Sequence, residues 1–185
     1  MGTDIHGWVE VKRNEKYGWE AIIFISDFIH RNYDMFGCLF GVRNYAGFRP
    51  IAPDRGLPND ISWYVEKDYK EWYDDGAHSV TWITWKEIKS IDWEEEGESE
   101  DARVHVYIDG KYYYKFLWSN ELTEEEWEKL SKQKKLVKGS TEYRLEKIKR
   151  REALTEDWEL LFELMEFLAK KYGDENVRLV VWFDS

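Results

Sequence analysis

An aspartate and a histidine stand two residues apart in the stretch Asp4-Ile5-His6-Gly7-Trp8-Val9-Glu10-Val11. In a strand successive side chains alternate faces, so Asp4, His6, Trp8 and Glu10 share one face while Ile5, Val9 and Val11 share the other. A carboxylate and an imidazole side by side form an Asp-x-His pair, suited to metal ligation or proton transfer. A second imidazole, His78, follows the turn Asp74-Asp75-Gly76, a loop position that presents side chains. Asp4, His6 and His78, joined by Asp34, would make a two-histidine, two-carboxylate shell for a divalent metal of the hydrolytic type. His6, His78 and Asp34 are then the candidate catalytic groups, and Asp4, His6 and His78 the candidate metal ligands. The plainer reading is a polar strand face with His78 or Ser79 as a cap.

Arginines supply the second chemical signal. Arg31, Arg43 and Arg55 lie near Asn32, Tyr33 and Asn44, around a stretch from 42 to 59 that Gly47, Pro50, Pro53, Gly56 and Pro58 punctuate. Guanidinium forks match phosphate and carboxylate oxygens, so these six residues are candidates for holding a small anionic, nucleotide-like ligand. The competing reading pairs the arginines with Asp27, Asp34, Asp54 and Asp60 as loop-pinning ion pairs. Phosphate-cradling glycine loops, dinucleotide fingerprints, nucleophile elbows and zincin helices are not found. His30 and His105 have no motif around them and are expected at the surface. Cys38 sits in an apolar helix as a small buried residue. Trp63, Trp72, Trp82 and Trp85 suit either an aromatic wall or core packing.

These groups need a frame. The pattern predicts a hairpin from the first strand through Trp19–Ile25 and a short helix over Met35–Phe40 capped by Asp34. A second helix through Val65, Tyr69 and Trp72 is capped by Asn59 or Asp60. A strand at 78–83 precedes a brief helix opened by the capping box Thr84/Glu87. The acidic run 94–101 reads as a solvated loop. Asp109-Gly110 predicts a hairpin between 103–108 and 111–118, Thr123/Glu126 opens a further helix, and 143–151 is open between helix and strand. An amphipathic helix over 155–172 stops at Gly173, and 177–183 is a central strand placed beside the first, bringing Asp184 towards Asp4 and His6. The expectation is one α+β domain over 1–185: a mixed or antiparallel sheet with an N-terminal hairpin and a C-terminal strand, helices packed on it. The motif-bearing half is 1–93, the acidic loop 94–101, and 102–185 carries the hairpin, helices and closing strand.

With 185 residues, 11 Trp, 12 Tyr and 9 Phe, the chain can bury a sizeable core. A net charge of −11 opposes non-specific binding to nucleic acid or anionic membranes. One cysteine, no leader-like N-terminus and no long apolar run make a cytoplasmic protein the expectation, with homo-oligomerisation left open.

Met-Gly-Thr-Asp-Ile-His, Arg31-Asn32-Tyr33-Asp34, Arg43-Asn44, Arg55-Gly56-Leu57-Pro58-x-Asp60 and His78-Ser79-x-Thr81-Trp82 carry a resemblance. Together with the closing Val-Arg-Leu-Val-Val-Trp-Phe-Asp, the chain resembles an uncharacterised family of small proteins known mainly from phage and prophage genomes. Thr3 stands where many relatives have Cys, and Val80 where a further polar residue often sits. The resemblance implies a phage-related origin and favours functional roles for Asp4, His6, Arg31, Asp34, Arg55 and His78. The function expected from all this is a cytoplasmic, metal-assisted hydrolase of a small phosphorylated or nucleotide-like ligand. The alternatives are a sequestering protein, such as a counter-defence sponge, and a protein–protein inhibitor.

Overall fold

A computed structural model describes residues 2–185, the side chain of Asp74 excepted. The chain forms an α+β fold with two four-stranded antiparallel sheets. The first sheet contains β1 (Asp4–Asn14), β2 (Gly18–Phe24), β3 (His78–Thr84) and β8 (Val177–Asp184), in the order β2-β1-β8-β3. β8 is apolar on both faces because both are covered. Leu179, Val181 and Phe183 join Ile5, Val9 and Val11 beneath α1 (Tyr33–Phe40) and α5 (Glu156–Tyr172), where Phe36, Leu39, Leu161 and Met165 are buried. Val180 and Trp182 face the other way, towards Val65, Tyr69 and Trp72 of α2 (Trp63–Asp74).

Local signals in the sequence account for most boundaries. Thr84 and Glu87 form the capping box of α3 (Trp85–Ile88). Thr123 and Glu126 do the same for α4 (Glu124–Gln133), whose Leu130 packs on the second sheet. That sheet has the order β5-β4-β7-β6, from β4 (Val104–Ile108), β5 (Lys111–Phe116), β6 (Lys135–Lys138) and β7 (Thr141–Arg144). The Thr123→Ala variant loses the side-chain acceptor for the Glu126 N–H and is expected to be about 1 kcal/mol less stable in urea unfolding.

Two helix caps differ from expectation, and one open segment is settled. Asn32, not Asp34, caps α1 by accepting from the Met35 N–H at 3.1 Å. Ser62, not Asn59 or Asp60, caps α2. The segment 143–151 is neither one helix nor one strand: it begins in β7, runs irregularly over 145–149 and enters a short 3-10 turn at Arg150–Ala153. The acidic run 94–101 is also less solvated than its composition suggests. Gly97 is buried, Glu95 binds Arg49 and Arg150, and Asp101 is 1 % exposed. Long-range ion pairs, invisible to a composition window, decide this.

The irregular stretch 42–59 is pinned. Asn44 accepts from the Phe48 N–H at 3.0 Å and donates to the Phe48 carbonyl at 2.7 Å. The Thr81 hydroxyl donates to the Ala52 carbonyl at 2.6 Å, and the Gly56 N–H to that of Val80 at 3.0 Å. Among the described residues, no helix is long and apolar enough to cross a membrane.

Candidate functional site

The register of β1 on β8 sets Asp4 opposite Asp184 and His6 opposite Trp182. Directly opposed residues share a face. His6 therefore points to the α2 side, where its ring stacks on Trp72 with centroids 3.8 Å apart. Its Nδ1 lies 3.2 Å from the Ser26 hydroxyl, just beyond β2. Among the described residues its Nε2 is buried without a hydrogen-bond partner, 3.5 Å from Asp184 Oδ1. At the strand's start Arg31 grips Asp4 with both ends of its fork, Nε to Oδ1 at 2.9 Å and Nη2 to Oδ2 at 2.7 Å. That guanidinium holds the Asp4 carboxyl below its ordinary range, and Asp4 in turn raises the arginine. Gly2 permits this approach, since a Cβ there would stand 1.9 Å from Arg31 Nη1.

The second imidazole belongs to the opposite face. His78 pairs with Phe183, the neighbour of Trp182, and successive residues of β8 point opposite ways. A bulge follows immediately, with Ser79 at φ 52°. His78 Nδ1 meets the Ser79 hydroxyl at 3.1 Å and Nε2 the Ser185 hydroxyl at 3.0 Å. Ser185 continues to Thr3 Oγ1 at 2.8 Å, which also accepts from Arg43 Nε at 2.8 Å. The Thr3 N–H donates to the Tyr33 hydroxyl at 3.0 Å. Two polar clusters thus lie back to back at one end of the sheet: Asp4, His6, Ser26, Arg31 and Asp184, and behind them Thr3, Tyr33, Arg43, His78 and Ser185.

The shell expected to unite both histidines does not assemble, because the sheet separates them. Among the described residues, no group of three His, Cys, Asp or Glu side chains is arranged to hold a metal ion. On the His6 face the unpartnered nitrogen is buried and Asp4 is occupied by Arg31. These donors do not fit a divalent metal.

The remaining candidates disperse. Asp34 turns to Arg103 and Lys115. Asn32 caps α1 and donates to the Ala153 carbonyl at 2.8 Å. Asn44 pins its own loop. Arg55 is held by both oxygens of Glu87, at 3.1 and 2.7 Å, over the ring of Trp82. Its guanidinium also reaches two backbone carbonyls, those of Trp82 and Ile51. The arginine partners are therefore Asp4 and Glu87 rather than the four aspartates named from sequence. Among the described residues, Arg43 has no carboxylate within ion-pair distance.

Some groups that matter gave little signal. Ser26 lies just after the run 19–25 with no motif around it. His105, expected at the surface, is 3 % exposed and lies 2.9 Å from Asp101. Asp101 also accepts from Arg103 Nε and Nη2, each at 2.8 Å; burial pushes its carboxyl up, but the His105 and Arg103 contacts together hold it far below the ordinary range. Arg178 pairs with Glu10 in the sheet interior at 2.7 Å and lies 3.8 Å from the Trp19 ring centroid. The alternation Arg103-x-His105 on a strand was the one available hint.

Arg31, Asn32, Tyr33 and Asp34 also line an open cleft of about 800 Å³, with Phe28, Arg103, Leu160 and the start of α5 around it. Arg31 therefore stands between the cleft and the Asp4–His6 strand end. On the His6 face the Ser26 hydroxyl stands against the imidazole Nδ1 and the Asp184 carboxylate near Nε2. Comparison of the chain with known family models, characterised proteins and solved structures found no match.

Proposed function

We propose that the protein is a cytoplasmic, phage-related hydrolase of a small phosphorylated or nucleotide-like ligand, with chemistry on the His6 face. The observation that carries this is the join between an anion-clamping arginine and a buried imidazole: Arg31 binds Asp4, which shares its strand face with His6. His6 is the general base and acid through Nδ1. Asp184, 3.5 Å from Nε2, stabilises the imidazolium as it forms. Arg31 meets the ligand's anionic group from the cleft side, and the clamp is preorganised because Asp4 already fixes its plane. Arg43 and His78, on the other face, take no part in the proton transfer.

The test is a panel of nucleotides and phosphate esters, followed by phosphate release and chromatography. His6→Gln is expected to lower kcat about 10²–10⁴-fold, and Arg31→Ala to act mainly on KM. Absence of turnover across the panel, or unchanged kcat in His6→Gln, overturns the reading.

A second reading, sequestration without chemistry, has its own support. The cleft is large enough for a nucleotide-sized ligand and presents Arg31, Arg103 and Tyr33, while His6 is outside its lining. Calorimetric titration with the same nucleotides distinguishes it: tight binding, loss in Arg31→Ala and recovery of intact ligand would favour a sponge.

A further inference from the structure

We infer that Ser26 is a nucleophile of this site, activated by His6 and Asp184. The inference rests on the hydrolase reading and deepens it by assigning covalent catalysis.

The surroundings of His6 select its tautomer. Its two nitrogens face a hydroxyl at 3.2 Å and a carboxylate oxygen at 3.5 Å. If the neutral ring carried its proton on Nδ1, a buried lone pair on Nε2 would face the negative charge of Asp184. With the proton on Nε2 that repulsion becomes attraction, and Nδ1 becomes an acceptor for the Ser26 O–H. Nucleophile, base and orienting carboxylate then follow in line. The ring nitrogens exchange the roles they have in the usual serine triad, but each role is filled. Stacking on Trp72 fixes the imidazole plane, so the hydroxyl meets a preorganised base.

The access is also right. The base is 8 % exposed, whereas Ser26 is half-buried on a turn at the end of β2 and can meet a ligand. On that turn the N–H groups of Phe28 and Ile29 both bond the Ile25 carbonyl, at 2.9 and 2.8 Å. Among the described residues, the N–H groups of Ser26 and Asp27 enter no such turn hydrogen bond. They are the donors on hand for charge developing on a reacting ester.

The step balances without a further reactant. Ser26 Oγ forms a bond to the phosphorus or acyl carbon of an ester as its proton passes to His6 Nδ1. The bond to the leaving oxygen breaks, and that oxygen takes the proton from His6. Water, deprotonated by His6, then cleaves the Ser26 ester, returning the proton to Ser26 and releasing the acid.

A fluorophosphonate probe tests this independently of the natural ligand, because serine attack expels fluoride and leaves a stable phosphonyl adduct. Intact-mass and peptide mapping of the full chain are expected to find one adduct, on Ser26. Labelling should vanish in Ser26→Ala, slow at least about 100-fold in His6→Gln and slow measurably in Asp184→Asn. A Ser26→Cys variant gives a second readout: its alkylation by iodoacetamide should fall when His6→Gln is added. Circular dichroism identifies folded variants. No adduct on Ser26 in folded protein, or labelling indifferent to His6→Gln, overturns the inference. If Ser26→Ala keeps turnover that His6→Gln loses, water attacks directly: the nucleophile assignment fails while the hydrolase reading stands. If Ser26 labels in a His6-dependent way yet nothing on the phosphorylated panel is turned over, the substrate reading fails and the nucleophile remains.

Discussion

The Gly7→Ala variant is expected to lose more than about 4 kcal/mol of stability, or to fail to fold, though it adds a single methyl group. Gly7 lies in β1 at φ 146°, opposite Val181 on β8. A Cβ there would sit 2.0 Å from the Val180 carbonyl oxygen and 2.9 Å from the Val181 Cα. Both are backbone atoms of the central strand, so no side chain can turn aside. Relief requires β1 and β8 to separate along the pairing that sets Asp4 opposite Asp184 and His6 opposite Trp182. Urea unfolding at neutral pH with circular dichroism checks this. A loss under 1 kcal/mol would mean the two strands can shift at little cost.

Asp101→Asn is expected to destabilise by about 3 kcal/mol at pH 7, the lower end for breaking a buried ion pair. The carboxylate receives Arg103 through two nitrogens and contacts His105, and an amide leaves these buried donors poorly matched. The loss stays at the lower end because Asp34 still pairs with Arg103 and Lys115. The same site predicts a pH dependence. Asp101 has a carboxyl pKa depressed by folding from an ordinary value of 3.8. Its contribution is therefore fully present above pH 3.8 and is lost as pH falls towards the folded value. Asp60, Glu87 and Asp157 are lowered as well and act with the same sign. Wild-type urea midpoints should fall steeply between about pH 5 and pH 2, and Asp101→Asn should show a shallower slope. Equal slopes would show that Asp101 binds its proton alike in both states.

Particular residues show how far the sequence reaches. Alternation in Asp4–Val11 separates Ile5, Val9 and Val11 from Asp4 and His6, and the two faces of β1 follow it. Thr84/Glu87 and Thr123/Glu126 name two helix starts because a capping box is complete within four residues. The apolar Val177–Phe183 run announces a strand covered on both sides, and from it came the meeting of Asp184 with Asp4 and His6. Each of these signals is local, and short-range sterics and burial suffice to read it.

What only the tertiary structure decided is the company each side chain keeps. A shift of one position along β8 sends His78 to the opposite side of the sheet from His6, a difference motif spacing cannot express. Arg31 chose Asp4, Arg55 chose Glu87, and Asp34 left the motif half for Arg103 and Lys115. Ser26 acquired an imidazole 20 residues away in sequence, and Asp101 a buried guanidinium inside a run that looked solvated. Charge pairing and hydrogen bonding depend on distance in space, and chain order alone constrains that distance weakly once strands from both ends of the sequence lie side by side.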